Sequence, residues 1–385
     1  MKILVCAHDA NITGGANRSL LMVIDGLISR NVEVEVLLPN KKGEMNGELD
    51  KRNIKWFSCI YFGVTSSIRK DGQDWKRIGK VYVGYFLELF QARKILMLLK
   101  NRGYDLVYTN TRGPIIGAKI AQYLGIPHVV HVREFGAEKP LFGFWNFKKM
   151  EKLSSKIIFI SNALYNEYAK QISKDKLVAI PNGIDSPLHL SFPKNRNDGE
   201  FHMLLTGRLV PDKGQIEAVK ATKILVDRGH KNIRLYLAGS LVPKMRMEWY
   251  EKQLKDLVQK FDIEDNVVFL GEIKDMVSVR KAMDIELMCA IKETFGRVTV
   301  EGMRSGLLVI GANTGGTLEI ISDGDTGILY QQGNEQDLAN KILDVYRNPE
   351  KRMQIAKNGY NFAQKNFTPE KNIKSVYDTL RMVVK

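Results

Sequence analysis

Two glutamates, Glu293 and Glu301, stand eight positions apart with Phe295, Gly296 and Arg297 between them. A carboxylate in a loop, followed by another about a turn into the next helix, can address different parts of one elongated ligand. The intervening Gly296 lets backbone N–H groups at the helix start face a phosphate, because those donors lack intrahelical partners. Upstream, Gly207-Arg208-Leu-Val-Pro-Asp-Lys213-Gly214 places an Arg and a Lys five residues apart. They can converge on a diphosphate, the Arg through paired hydrogen bonds and the Lys as a mobile point charge. Near the N-terminus, Gly14-Gly15-Ala-Asn17-Arg18 allows the backbone to approach an anion or sugar closely at a helix start, although it lacks the G-x-G-x-x-G spacing of a dinucleotide site. Asn313-Thr314-Gly315-Gly316-Thr317 is a further Gly-rich turn. Each element also has a bland reading: a tight turn, solvated surface charge, or a solvent-facing Glu on a helix.

Groups so far apart in sequence need a rigid frame, and the hydrophobic pattern supplies one. Val/Ile/Leu-rich runs alternate with helical patterns, the mark of βα units around parallel sheets whose strands are covered on both faces. The first half offers runs at 3–7, 32–38, 54–58, 106–109, 128–132, 156–160 and 177–180; the second at 201–205, 234–238, 267–270, 285–288, 308–310 and 327–330. After Glu335 the chain reads as helical to its end. The expected fold class is α/β with two Rossmann-like parallel-sheet domains. Domain one spans 1–185, a Pro/Asn/Gly-rich linker 186–200, and domain two 201–368, leaving 369–385 as a C-terminal helix. At 385 residues the chain has the length for two such lobes. In open parallel sheets ligands lie outside the carboxyl ends of strands, which is where the glycine, lysine and glutamate motifs fall.

Composition narrows the class further. Hydrophobic residues make up 44% and charged residues 26%, enough for packed cores and unlike a disordered chain. The three cysteines, Cys6, Cys59 and Cys289, are far apart and form no C-x-x-C, which argues against a disulfide scaffold and a structural zinc and for a reducing, cytoplasmic compartment. The first apolar run is too short for a signal-peptide core of roughly 7–15 residues, and no run approaches the ~20 residues of a bilayer crossing.

Net charge is +15 and unevenly spread: residues 1–190 carry 28 Lys and Arg against 17 Asp and Glu, and residues 51–103 alone carry 12 against 3. A basic patch attracts anionic lipid, nucleic acid or anionic substrate. Segments 75–100 and 139–149 mix basic with aromatic and aliphatic residues and suit an amphipathic layer on an anionic membrane surface, or equally a buried helix with a solvated basic edge. No recognition motif accompanies the charge, so nucleic acid is not expected as a partner.

Taken together, the run Glu293–Glu301, Gly-Arg-Leu-x3-Lys-Gly at 207–214, the Gly-Gly loop, His131-Val-Arg133-Glu, Ser161-Asn162 and Pro181-Asn182-Gly183-Ile-Asp185 resemble the retaining nucleotide-sugar glycosyltransferases of family 4, which have the GT-B fold. The resemblance spans essentially the whole chain in the right order; the E-x7-E segment is its specific part. It implies two Rossmann-like domains facing a central cleft, the C-terminal one holding the sugar nucleotide, the N-terminal one receiving the acceptor, and the final helix crossing back to the first domain. Arg208 and Lys213 would bind the donor diphosphate and neutralise the leaving group. Glu293 would hold hydroxyls of the donor sugar, the backbone at Phe295, Gly296 and Arg297 would meet sugar or phosphate, and Glu301 would accept from the ribose. His131 would contact the donor sugar near its 6-position. Gly15 would lie near the phosphate, with Gly14, Asn17, Arg18 and Arg133 on the acceptor side.

The implied activity is hexosyl transfer from a nucleotide diphosphate sugar, UDP-sugar favoured, to a glycan or polyprenyl-diphosphate-linked saccharide in surface polysaccharide biosynthesis. No cofactor and no metal are expected, since fixed cations and helix N-termini can stabilise a departing diphosphate and no D-x-D triplet occurs. Retention ordinarily points to a carboxylate nucleophile; Glu293 matches a sugar-binding position and Glu134 has no assigned role, so front-face attack, with the leaving phosphate taking the acceptor proton, is preferred. A nucleotide-sugar epimerase of similar architecture and a non-catalytic carbohydrate- or membrane-binding protein are the alternatives. Gly302 stands where Ala is usual after the second Glu, a departure expected to cost about 0.5–1 kcal/mol and to leave function intact.

Overall fold

The computed structural model describes residues 1–12, 15–61, 83, 86, 90–91, 93–135, 147–185, 199–241 and 247–384. Gly14, most of the expected linker (186–198), 139–146 of the second basic-aromatic segment and most of 75–92 in the first lie outside the described residues. The chain forms two units, Met1–Gly183 with Pro369–Lys385, and Ile184–Thr368.

The first unit is a seven-stranded parallel sheet: β1 (Lys2–Cys6), β2 (Glu33–Leu38), β3 (Trp56–Ser58), β4 (Leu106–Asn110), β5 (His128–Val132), β6 (Lys156–Phe159) and β7 (Leu177–Ala179), in the order β3-β2-β1-β4-β5-β6-β7. Apart from Lys2 its central strands are buried along their length because helices cover both faces, which is why they read as Val/Ile/Leu-rich runs. The order reverses between β1 and β4, so the loops leaving these strands flank a crevice at their carboxyl ends. The C-terminal helix Pro369–Val383 packs in this unit against the first helix, Gly15–Ile28, with Val376 and Leu380 in the same core as Leu20 and Ile24. Gly26 makes the approach close: a Cβ there would stand 2.4 Å from the Ile373 side chain. The Asn372 amide adds a hydrogen bond to the Pro181 carbonyl at 2.6 Å.

The second unit is a six-stranded parallel sheet: β8 (Phe201–Thr206), β9 (Ile233–Ala238), β10 (Val267–Gly271), β11 (Ile285–Met288), β12 (Leu308–Ala312) and β13 (Ile328–Tyr330), in the order β10-β9-β8-β11-β12-β13. The reversal falls between β8 and β11, which pair through Met203–Leu205 and Ile285–Leu287. Glu335–Arg347 and Pro349–Asn366 are helical, as the pattern after Glu335 foretells. The Ile184 N–H bonds to the Phe367 carbonyl at 2.9 Å, tying the start of this unit to its end.

Candidate functional site

The loops leaving β8 and β11 flank the reversal of the second sheet, and backbone contacts lock them together. Gly214 has φ +72° and lies so close to the Cys289 carbonyl that a Cβ would come within 2.0 Å of its oxygen. Both the left-handed backbone and the close approach demand glycine. The Ile291 N–H bonds to the Asp212 carbonyl at 3.0 Å. Gln215, fully buried, donates to the Arg208 carbonyl at 2.8 Å and accepts from the Tyr250 hydroxyl at 3.1 Å, pinning the base of the loop. The third wall is Gly315-Gly316: the Gly316 N–H bonds to the Glu293 carbonyl at 2.8 Å, and a Cβ at either glycine would strike the backbone of Glu293 or Phe295.

This framework brings Lys213 Nζ to 2.7 Å from Glu293 Oε2, with both side chains partly open to solvent. Arg208 is exposed on the same loop. The Phe295 side chain turns into the core, edge-on to Phe367 with ring centroids 5.6 Å apart, so only its backbone remains for ligand. Gly296 caps the helix Arg297–Arg304 at φ 101° with no side-chain cap, leaving the positive end of that helix uncovered by a side-chain acceptor. On that helix Glu301 accepts from Arg297 Nε at 2.8 Å and from Arg280 Nη2 at 3.2 Å. A carboxylate, a lysine and a helix N-terminus on neighbouring loops are groups of the kind that can hold a polyol joined to a phosphate.

Arg280 was not singled out by the sequence reading, nor was its second partner Glu286. Arg280 is buried, and its Nε and Nη2 meet both oxygens of Glu286 at 2.9 and 3.1 Å. Glu286 lies within β11 with no exposed surface and also accepts from Thr206 Oγ1 at 2.8 Å. Burial works against the guanidinium charge, but Glu286 and then Glu301 outweigh it and hold Arg280 more firmly protonated than usual. Gly302 makes this possible, since a Cβ there would stand 2.4 Å from Glu286 Oε2. The departure from Ala therefore has a structural role, where the sequence reading saw only a small helical cost.

The first unit gathers a different set around the carboxyl ends of β4 and β5. His131, fully buried, is the penultimate residue of β5; its Nδ1 lies 2.5 Å from the Tyr108 hydroxyl and 3.4 Å from Arg133 Nη2. A guanidinium only donates, so Nδ1 accepts and Nε2 carries the proton. That Nε2 is buried without a partner among the described residues. Burial, reinforced by the Arg133 charge, holds the imidazole well below its ordinary value, and burial pushes Tyr108 up to about 12. With its pKa so depressed the imidazole is held neutral, and in this tautomer Nε2–H is the group it has to offer a ligand.

Other expected acceptor-side residues are engaged internally. Arg133 Nε bonds to Asn110 Oδ1 at 2.6 Å and Nη1 to Asn182 Oδ1 at 2.7 Å, while the Asn17 amide donates to the carbonyls of Asp9 and Asn11 at 2.9 and 2.7 Å. Gly15 and Arg18 face solvent. Glu134 accepts the N–H groups of Arg112 and Arg133 at 2.9 and 3.2 Å, which gives it a place in holding the loop after β5.

Twin parallel-sheet Rossmann-like units, with motif-bearing loops at the reversal of each sheet, have the GT-B fold. The crystal structure of HepE from Anabaena in complex with UDP superposes with a TM-score of 0.80 at 23% identity, covering 99% of this chain and 100% of that one. A glycosyltransferase from Rickettsia africae gives 0.80 at 20% identity over 100% and 99% of the two chains. In sequence, the chain is 27% identical over 309 residues to MJ1178 of Methanocaldococcus jannaschii, an uncharacterized glycosyltransferase, covering 77% of this chain and 81% of the relative. It is 26% identical over 259 residues to the capsular polysaccharide biosynthesis glycosyltransferase CapM of Staphylococcus aureus, 62% of this chain and 66% of that protein. The model of glycosyltransferase family 4 matches residues 13–186 and that of glycosyl transferases group 1 residues 189–362. The chain belongs to this family of glycosyltransferases.

Proposed function

We propose that the protein transfers a hexosyl unit, with retention of configuration, from a nucleotide diphosphate sugar to a glycan or polyprenyl-diphosphate-linked saccharide in surface polysaccharide assembly. The Lys213–Glu293 contact carries this reading, for it sets a cation for the leaving phosphate beside a carboxylate for sugar hydroxyls. Lys213 and Arg208 would stabilise the charge that develops on the diphosphate, and the uncapped helix after Gly296 would add to it, so a metal ion is not required. Glu301 would accept from the ribose. A relative named for capsular polysaccharide biosynthesis and solved structures holding UDP, UDP-glucose or UDP with a glycan support the donor and product class and favour UDP.

In the step envisaged, the bond from the anomeric carbon to the phosphate oxygen breaks. The acceptor oxygen bonds to the same face of that carbon, and the acceptor proton passes to the departing phosphate. Neither carboxylate considered as a nucleophile suits that role: Glu293 is engaged with Lys213, and Glu134 with two backbone amides. His131 would donate from Nε2 to a sugar hydroxyl.

The first unit would take the acceptor, with Gly15 and Arg18 at the helix start available to it and the protein resting on an anionic inner membrane surface. Among the described residues of segment 75–100, Val83, Phe86, Phe90 and Met97 are all exposed, and Arg93, Lys94 and Lys100 lie in the same stretch of chain. No helix among the described residues is long and apolar enough to cross a membrane.

The deciding assay offers UDP-, GDP- and ADP-sugars with and without a lipid-diphosphate glycan, scoring nucleotide release and product mass. Acceptor-dependent release with a one-sugar mass gain supports the reading. Turnover of donor without acceptor would favour an epimerase, and a trapped glycosyl-enzyme adduct would overturn front-face attack.

A further inference from the structure

Glu301 hangs from a buried anchor. Its Oε2 is held by Arg280, whose guanidinium is itself gripped along its Nε–Nη2 edge by both oxygens of Glu286 from within β11. The other oxygen is met by Arg297, a side chain on the same helix that is far more open to solvent. A bidentate Arg–carboxylate pair in a dry interior has a fixed geometry, so the position of Arg280 is set by the sheet and that of Glu301 by Arg280. Charge balances within the group, two guanidinium groups against two carboxylates, and Glu301 keeps lone pairs able to accept. The space for this anchor exists because residue 302 has no Cβ. A glutamate inside a parallel strand is costly unless it is paired, and apart from Arg280 the contact found for its carboxylate is the Thr206 hydroxyl.

We propose that Arg280, braced by Glu286, is a positioning residue that fixes Glu301 for the ribose hydroxyls of the donor nucleotide and so sets the preference for ribo- over 2′-deoxyribonucleotides. This rests on the reading of Glu301 as the ribose acceptor.

The test measures calorimetric binding of UDP, GDP and ADP and their 2′-deoxy counterparts to the full chain. Removing Arg280 alone strands a buried carboxylate, so the informative variant is Arg280→Met with Glu286→Leu, which replaces both charges by apolar groups of similar size and is tolerated in buried pairs. Wild type should prefer the ribonucleotide about tenfold, the range of one hydrogen bond to a charged group. The double variant, with a thermal midpoint close to wild type, should lose most of that preference. In turnover its donor KM should rise about tenfold while kcat at saturating donor stays within twofold, a split that general loosening of the fold would not give. Arg280→Lys, which keeps the charge but not the fork, should fall between. A double variant that keeps the ribose preference, while Glu301→Gln loses it, overturns the positioning role alone. If Glu301→Gln also keeps it, or no nucleotide binds wild type, the ribose reading of Glu301 fails and the proposal with it.

Discussion

The helix carrying Glu301 approaches β11 so closely that the place of a Cβ at Gly302 is 2.4 Å from Oε2 of Glu286. Exchange of Gly for Ala inside a helix ordinarily gains up to about 1 kcal/mol. Here the oxygen it would meet belongs to a carboxylate held by Thr206 and Arg280 and cannot swing away. Overpacking a core costs about 1–3 kcal/mol, so the clash outweighs the propensity. Gly302→Ala is expected to lower the thermal midpoint by several degrees, and to do so less when Glu286→Leu is also present. A midpoint that rises in Gly302→Ala would show that the carboxylate yields.

Lys213 and its partner Glu293 both keep part of their side chains open to solvent, so their ion pair adds little to stability. Its weight should fall on turnover. Lys213→Ala is expected to cut kcat by about 10²–10³-fold, the range for loss of one fixed charge facing a leaving group, with a midpoint within a degree or two of wild type. Steady-state nucleotide release with the donor found in the panel assay, beside a melting curve, checks both. Retention of a tenth or more of wild-type kcat would remove the lysine from the leaving-group role.

The strands were legible because a strand covered on both faces is largely apolar, and runs such as 128–132 and 285–288 coincide with β5 and β11 end to end. Lys213 and Glu293 were legible because each follows a strand and stands beside glycines, even though 80 positions separate them. Arg280, Glu286 and Tyr108 were not. Glu286 interrupts an apolar run in a way any solvent-facing glutamate would, and nothing local marks that Gly302 clears its space. Asn17 and Arg133 carry the residue types of ligand contacts, yet carbonyls and amides left bare by the turns engage them first.

Tyr108 makes the closer hydrogen bond to Nδ1 of His131, while the Arg133 guanidinium, which only donates, sets the tautomer. Tyr108→Phe removes the closer donor to Nδ1 and leaves the 3.4 Å contact from Arg133. The ring is then held less firmly, and kcat/KM with the sugar donor should fall about tenfold, the cost of one hydrogen bond to substrate. His131 stays neutral through the working range, so the pH profile of kcat/KM should keep its shape between pH 6 and 8 in wild type and Tyr108→Phe alike. A new ionisation near pH 6.5 in wild type, abolished by His131→Gln, would restore the histidine as a base.

Acid should weaken the first unit through its buried histidines. His128 is satisfied on both nitrogens, by Thr109 Oγ1 at 2.8 Å and Ser154 Oγ at 3.1 Å, and burial lowers it to about 4. An unfolded histidine titrates near 6.5. Between those values the unfolded chain holds a proton that the folded chain refuses, so stability is intact above about 6.5 and falls as pH drops to about 4, by on the order of 3 kcal/mol for this one residue. His131, also depressed, and His8, lowered by burial, act in the same direction. Glu134, which burial raises, acts in the opposite one, since the folded state favours its protonated form. His128→Gln removes one titrating group while keeping an amide that can reach the two hydroxyls. Its melting temperature should therefore fall less steeply than that of wild type from pH 6.5 to 4.5. Equal slopes in the two proteins would mean that His128 is protonated in the folded state and that burial does not hold it neutral.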